Sequence, residues 1–181
     1  MGGERVCAGK RQVKGLALWG TNAQMFGMKS VATPTNVTMT DLKLLALDSE
    51  DLGIVSAYVQ DAVVRVGDMG YAQADRRFVM LMNRYAWEVG DTRGRGQRKR
   101  AGLHFDDVLA AHAEGFDLNA KDGVMELLAI TFEAGEAPAG EVHLTFAGGG
   151  RVRLEVECLE ARLRDLGGVW AAKAQPKHDV D

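Results

Sequence analysis

The densest chemistry in the sequence is cationic. Residues 93–100 read RGRGQRKR, with Arg93, Arg95, Arg98, Lys99 and Arg100 within eight positions and no acid among them. Such a run can neutralise phosphates and release their counterions, which makes binding depend on salt. No aromatic residue interleaves it for base stacking. A solvated loop is the favoured reading, and RNA or polyanion binding is the alternative. A second group lies upstream. Arg76, Arg77, Asn83 and Arg84 fall within RRFVMLMNRYAWE and could form an anion-binding patch on one strand. Asp61 could instead pair with one of these arginines as a structural bridge, and that reading is favoured. Trp87 and Trp170 could anchor a protein partner, because interfaces favour Trp, Tyr and Arg. Core packing serves them equally well.

Other candidates carry less. No two of His104, His112, His143 and His178 stand at a metal-ligand spacing such as HExxH. His112 falls in a strand-like stretch and reads as a partly buried histidine. Cys7 and Cys158 form neither a CxxC pair nor a zinc spacing. Cys158 follows the inward set of its strand, and Glu157 and Glu160 nearby disfavour a thiolate, so a buried, unreactive thiol is expected. No metal, cofactor or nucleophile–base pair is legible, and a small enzyme is the third function class. The run Gly148, Gly149, Gly150 could cradle a phosphate only between a strand and a helix N-terminus. The chain after it alternates Val152, Leu154 and Val156 with Arg153, Glu155 and Glu157, which is strand period. The triple glycine is therefore a hairpin turn. Pairing Phe146 with Val152, Leu144 with Leu154 and Val142 with Val156 puts every apolar residue on one face.

The elements that position these residues follow from periodicity. LKLLAL (42–47) reads as a strand. DSEDLGIVSAYVQDAV reads as a helix, with Asp48 as N-cap, Glu50 and Asp51 in its first turn, and Leu52, Val55, Val59 and Val63 on one face. AVVRVGDMGYA and RRFVMLMNRYAWE, linked by QAD, read as a hairpin. Both faces of the second strand are largely apolar, so it is expected to be covered on both sides. Residues 107–114 fit a helix or a strand, with strand preferred. GVMELLAITFE, EVHLTF and RVRLEVEC are strands. LEARLRDLG reads as a short C-terminal helix with Leu159, Leu163 and Leu166 inward and Gly167 as its cap. The expected fold is α+β: about seven mostly antiparallel strands in a bent sheet or partial barrel, one helix after the first strand, and a short C-terminal helix. Seven strands and a closing helix match the outline of a pleckstrin-homology-like barrel, an analogy of fold alone.

The net charge of −3 is unevenly spread: residues 1–38 carry +4 and residues 39–181 carry −7. Residues 1–38 lack apolar period and read as a flexible extension, or as the product of an upstream start, with Met39 the natural beginning; a transit peptide is the alternative. Residues 39–172 form the expected domain and 173–181 a polar tail. No run approaches 18 apolar residues, so no spanning helix is expected. A reduced, cytoplasmic setting is the default for this cysteine usage.

TDLKLLALDSEDL, QDAVVRVGD, RRFVMLMNRYAWE and LTFAGGGRVRLEVECLEARLRDLGGVWAAK together resemble a bacterial family of uncharacterised proteins, the domain of unknown function numbered twenty-nine forty-eight. The resemblance covers about residues 39–178. It implies a small cytoplasmic protein beginning near Met39 and implies no activity. The expected function is a non-enzymatic protein-binding or accessory module with an unidentified protein partner and no membrane association.

Overall fold

The computed structural model describes residues 41–89 and 96–171. The expected N-terminal extension, Arg93, Arg95, Cys7, His178 and the polar tail lie outside the described residues.

Ten elements follow in order: β1 (Lys43–Ala46), α1 (Ser49–Val59), β2 (Ala62–Ala72), β3 (Arg77–Tyr85), β4 (Gln97–Phe105), β5 (Val108–Glu114), β6 (Val124–Ala134), β7 (Gly140–Phe146), β8 (Arg151–Val156) and β9 (Ala161–Ala171). The strands form one antiparallel sheet in the order β1-β9-β4-β3-β2-β6-β7-β8-β5. It is not closed. One short connection dictates its bend. β4 and β5 stand six places apart in the sheet, roughly 29 Å if it were flat. Only Asp106 and Asp107 join them, and three Cα steps reach about 11 Å. The sheet must therefore curl until β5 meets the β2–β3 hairpin. There the Val108 N–H donates to the Arg76 carbonyl at 2.8 Å, and the Tyr71 hydroxyl donates to the carbonyls of Val108 and Leu109.

The concave side holds the core, with Phe78, Met80, Leu103, Phe105, Leu127, Leu144, Phe146, Leu154 and Leu163 all buried. Helix α1 packs on β6 and β1. Asp48 caps it, accepting the Asp51 N–H at 2.8 Å, and Leu52, Val55 and Val59 face inward. Ser56 accepts the Ile130 N–H at 2.8 Å, beyond Leu127, where the pairing of β6 with β2 ends. The helix ends two residues before Asp61, whose φ is +58°. Val63 thus belongs to β2 and not to the helical face expected of it.

Four further expectations need correction. Among the described residues nine strands replace about seven, and the expected C-terminal helix is instead β9. In β9, Ala161, Leu163 and Asp165 point inward while Leu166 is 52% exposed, so the leucine spacing that suited a helix is overridden by pairing with β1 and β4 on either side. Gly167 does take a left-handed φ of +78°, but inside a strand irregularity rather than at a helix end. With no closing helix among the described residues, the pleckstrin-homology outline does not hold. Strand β3 is internal but covered unevenly: Phe78, Met80 and Met82 are buried on one face, while on the other Val79 is 36% exposed, Leu81 half-buried and Tyr85 buried.

The glycine run is a hairpin turn, as its flanks require. Gly148 and Gly149 take φ of +79° and +87°, and the Phe146 N–H donates to the Gly150 carbonyl. The turn is wider than expected. Leu144 pairs with Val152 and Val142 with Leu154, a register two residues away from the one expected. A shift of two keeps every side chain on its own face, so the apolar match survives. Residues 97–100 are a strand and not a loop, and residues 108–114 are the preferred strand.

Candidate functional site

Arg84 stands on β3 one step beyond Met80 and Met82, on the same inward face, and is fully buried. A guanidinium has five N–H donors and cannot be buried unless they are met. All five are. Nε and Nη2 donate to the two carboxylate oxygens of Asp165 at 2.8 Å each. Nη2 and Nη1 donate to Glu88 Oε1 and Oε2 at 2.7 and 3.1 Å. Nη1 also reaches the Tyr85 carbonyl at 3.4 Å. Lys99, buried on β4, places Nζ 3.3 Å from Asp165 Oδ2 and 3.7 Å from Glu88 Oε1. The Leu42 N–H donates to Asp165 Oδ2 at 3.1 Å. Two cations and two carboxylates make a neutral set.

Burial works against the charges of Arg84, Asp165 and Glu88, and pairing prevails. The Arg84 pKa is raised above its ordinary value: desolvation opposes this, but the hydrogen bonds of Asp165 and Glu88 outweigh it. Burial pushes Asp165 up, and the bonds from Arg84, Leu42 and Lys99 hold it below the usual carboxylate value. Glu88 follows the same pattern, with Arg84 its main partner.

Glu88 is the exposed member of the set. It sits in a short 3-10 turn, Trp87–Val89, that continues β3. Together with the C-terminal turn of α1, this turn encloses an open pocket of about 410 Å³ lined by Ala57, Tyr58, Gln60, Trp87 and Glu88. That volume suits a side chain or a small ligand. Trp87 is 38% exposed and its ring lies 4.4 Å from that of Tyr85. Tyr85 is wedged by Gly96, where a Cβ would fall 1.8 Å from the tyrosine hydroxyl, so the approach of β4 requires glycine. Arg98 lies 6.0 Å from the Tyr85 ring centroid and donates to the carbonyls of Asp61 and Asn83 at 3.1 and 3.0 Å. Arg100 donates to Asn83 Oδ1 at 3.3 Å and to Asp68 at 3.0 Å.

The structure thus gathers Asn83, Arg84, Trp87, Arg98, Lys99 and Arg100 at one end of β3 and β4. Arg76 and Arg77 stand at the other end of β3, roughly 25 Å away. Arg76 bonds Glu157, and Arg77 donates to Asp106 at 2.5 Å. Glu88, Asp165, Tyr58 and Gln60 were not singled out by the sequence. Asp165 had a signal, since it is the third inward position after Ala161 and Leu163 once β9 is read as a strand. Glu88 had one too, four residues after Arg84.

The three described histidines lie apart from the site. Half-buried His104 is 3.6 Å from Asp106, and His143 is 3.5 Å from Glu141. His112, expected to be partly buried, is exposed and 3.2 Å from Glu155. Among the described residues, no three His, Cys, Asp or Glu side chains are grouped to hold a metal ion, and no helix is long and apolar enough to cross a membrane. Cys158 is buried, and its thiol reaches Asp107 Oδ2 at 3.5 Å.

The family model described as Protein of unknown function (DUF2948) matches residues 42–178, and the chain belongs to that family. No curated protein and no solved structure matches it.

Proposed function

We propose that this family member is a non-enzymatic protein-binding module of the bacterial cytoplasm and that the Trp87 pocket receives a long side chain of the partner. The carrying observation is a large aromatic left 38% exposed in an open pocket beside a locked charge set. Exposed Trp is a costly surface residue and a frequent interface anchor. The chemistry of the walls suits a lysine or arginine. Ala57, Tyr58 and Trp87 offer apolar and ring surface to its stem. Glu88 and the C-terminal carbonyls of α1 offer negative potential to its tip.

A fixed charge set supports binding over catalysis. Both oxygens of Glu88 accept from Arg84, so this carboxylate is oriented for recognition rather than for taking up a proton. The polyanion reading loses three of its five cations to bonds within the chain, since Arg98, Lys99 and Arg100 donate to Asp61, Asn83, Asp165 and Asp68.

The test is affinity capture from a bacterial lysate with and without nuclease, on the wild type and on Trp87→Ala. A defined protein that survives nuclease and is lost on the variant supports the proposal. Release by nuclease, or equal capture by the variant, refutes it.

A further inference from the structure

A second surface stands apart from the pocket. Ten arginines fall among the described residues, and nine reach a carboxylate or a backbone carbonyl of this chain. Arg164 on β9 reaches neither among the described residues. Its cross-strand partner is Lys43 of β1, an exposed cation equally without a counter-charge there. Like charges directly opposite on neighbouring strands repel. Here they are kept on a domain whose charge is otherwise acidic.

The surroundings specify what would relieve them. Side chains on one face of a strand recur every second residue, about 6.8 Å apart. Leu45 follows Lys43 by two, toward Arg162, and is 49% exposed. Leu166 follows Arg164 by two in the opposite direction and is 52% exposed. Leu166 leans over Gly102, where a Cβ would lie 3.5 Å from it and 3.5 Å from Leu81, so an apolar floor continues onto β4 and β3. The order along the strand axis is Leu45 beside Arg162, whose charge Glu160 meets, then the doubly cationic step, then Leu166.

We propose that the outer face of β1 and β9 docks an extended protein segment of pattern apolar–x–acidic–x–apolar. Its carboxylate bridges Lys43 and Arg164, and its flanking side chains cover Leu45 and Leu166. An extended chain presents residues i, i+2 and i+4 at this same spacing on one side. Nucleic acid would leave the leucines uncovered.

The test titrates the isotopically labelled full chain with the acetylated pentapeptide Leu-Thr-Glu-Thr-Leu and follows backbone amide shifts. Saturable shifts at residues 43–45 and 162–166 are expected, weakening with salt. They should fall at least tenfold in apparent affinity for Arg164→Glu and for the same peptide with Gln in place of Glu. Lys43→Glu should also raise the melting temperature, since it turns a repelling pair into an attracting one, while losing the peptide. No shifts, shifts elsewhere, an equally effective Gln peptide, or an unchanged or lowered melting temperature for Lys43→Glu would each overturn the proposal. So would Arg164-dependent retention of polyuridine or phosphatidylglycerol vesicles in place of the peptide. Trp87→Ala should bind the peptide normally, which separates this surface from the pocket.

Discussion

Replacing Asp165 by Asn tests the charge set most directly. The substitution keeps the shape and removes the charge. Asp165 accepts four hydrogen bonds, two from Arg84 and one each from Lys99 and Leu42. An amide offers one acceptor oxygen, and its NH2 would face donors. Arg84 and Lys99, both buried, would then share only Glu88. Removing one partner of a buried ion pair costs about 3–5 kcal/mol. For a domain of about 130 residues, that corresponds to a fall in melting temperature of roughly 11–18 °C. Urea unfolding at pH 7 measures the free energy, and its dependence on pH supplies a second readout. Asp165 and Glu88 are both held below their ordinary values. Their share of stability is therefore fully present above about pH 4–5, near their unfolded values, and is lost as pH falls through the lower folded values. Asp165→Asn should be weak at neutral pH and lose less on acidification than the wild type. A second variant, Arg84→Met with Asp165→Leu and Lys99→Met, removes the three buried charges together, leaves the more exposed Glu88, and should be less damaging than Asp165→Asn. A loss below about 1 kcal/mol for Asp165→Asn, or an acid profile parallel to the wild type, would refute the argument that this set is buried and coupled.

Gly96→Ala should lower stability by about 1–3 kcal/mol, because the added methyl collides with the Tyr85 ring; equilibrium unfolding checks this, and a neutral result would show that Tyr85 can leave its place. Burial holds His104 below its ordinary value, against the pull of Asp106. A histidine with a depressed folded value stabilises fully above its unfolded value, near 6.5, and loses that share as pH falls toward the folded one; the urea midpoint should drop between pH 7 and 5, and less so in His104→Gln. Cys158 should resist a thiol reagent in the native state and label rapidly in urea.

Where side chains repeat with a local period, the sequence alone determined structure. Asp48 as N-cap, the Leu52–Val55–Val59 face, the β2–β3 hairpin and the β7–β8 glycine turn were all legible, because each depends on residues a few positions apart. The family was legible too, from ordered strings spanning the domain. Trp87 and the cations near it were visible as candidates, but their roles were not. Whether Arg84 binds a ligand or a carboxylate depends on Asp165, 81 positions along the chain. That pairing requires LEARLRDLG to be a strand, and nothing local makes it one: its leucine spacing suits a helix, and only docking between β1 and β4 gives its backbone groups partners. The same holds for residues 97–100, which look like a solvated basic loop until β3 and β9 flank them. Tertiary structure decided these points because strand pairing and buried charge pairing are satisfied across long stretches of chain, where periodicity carries no information.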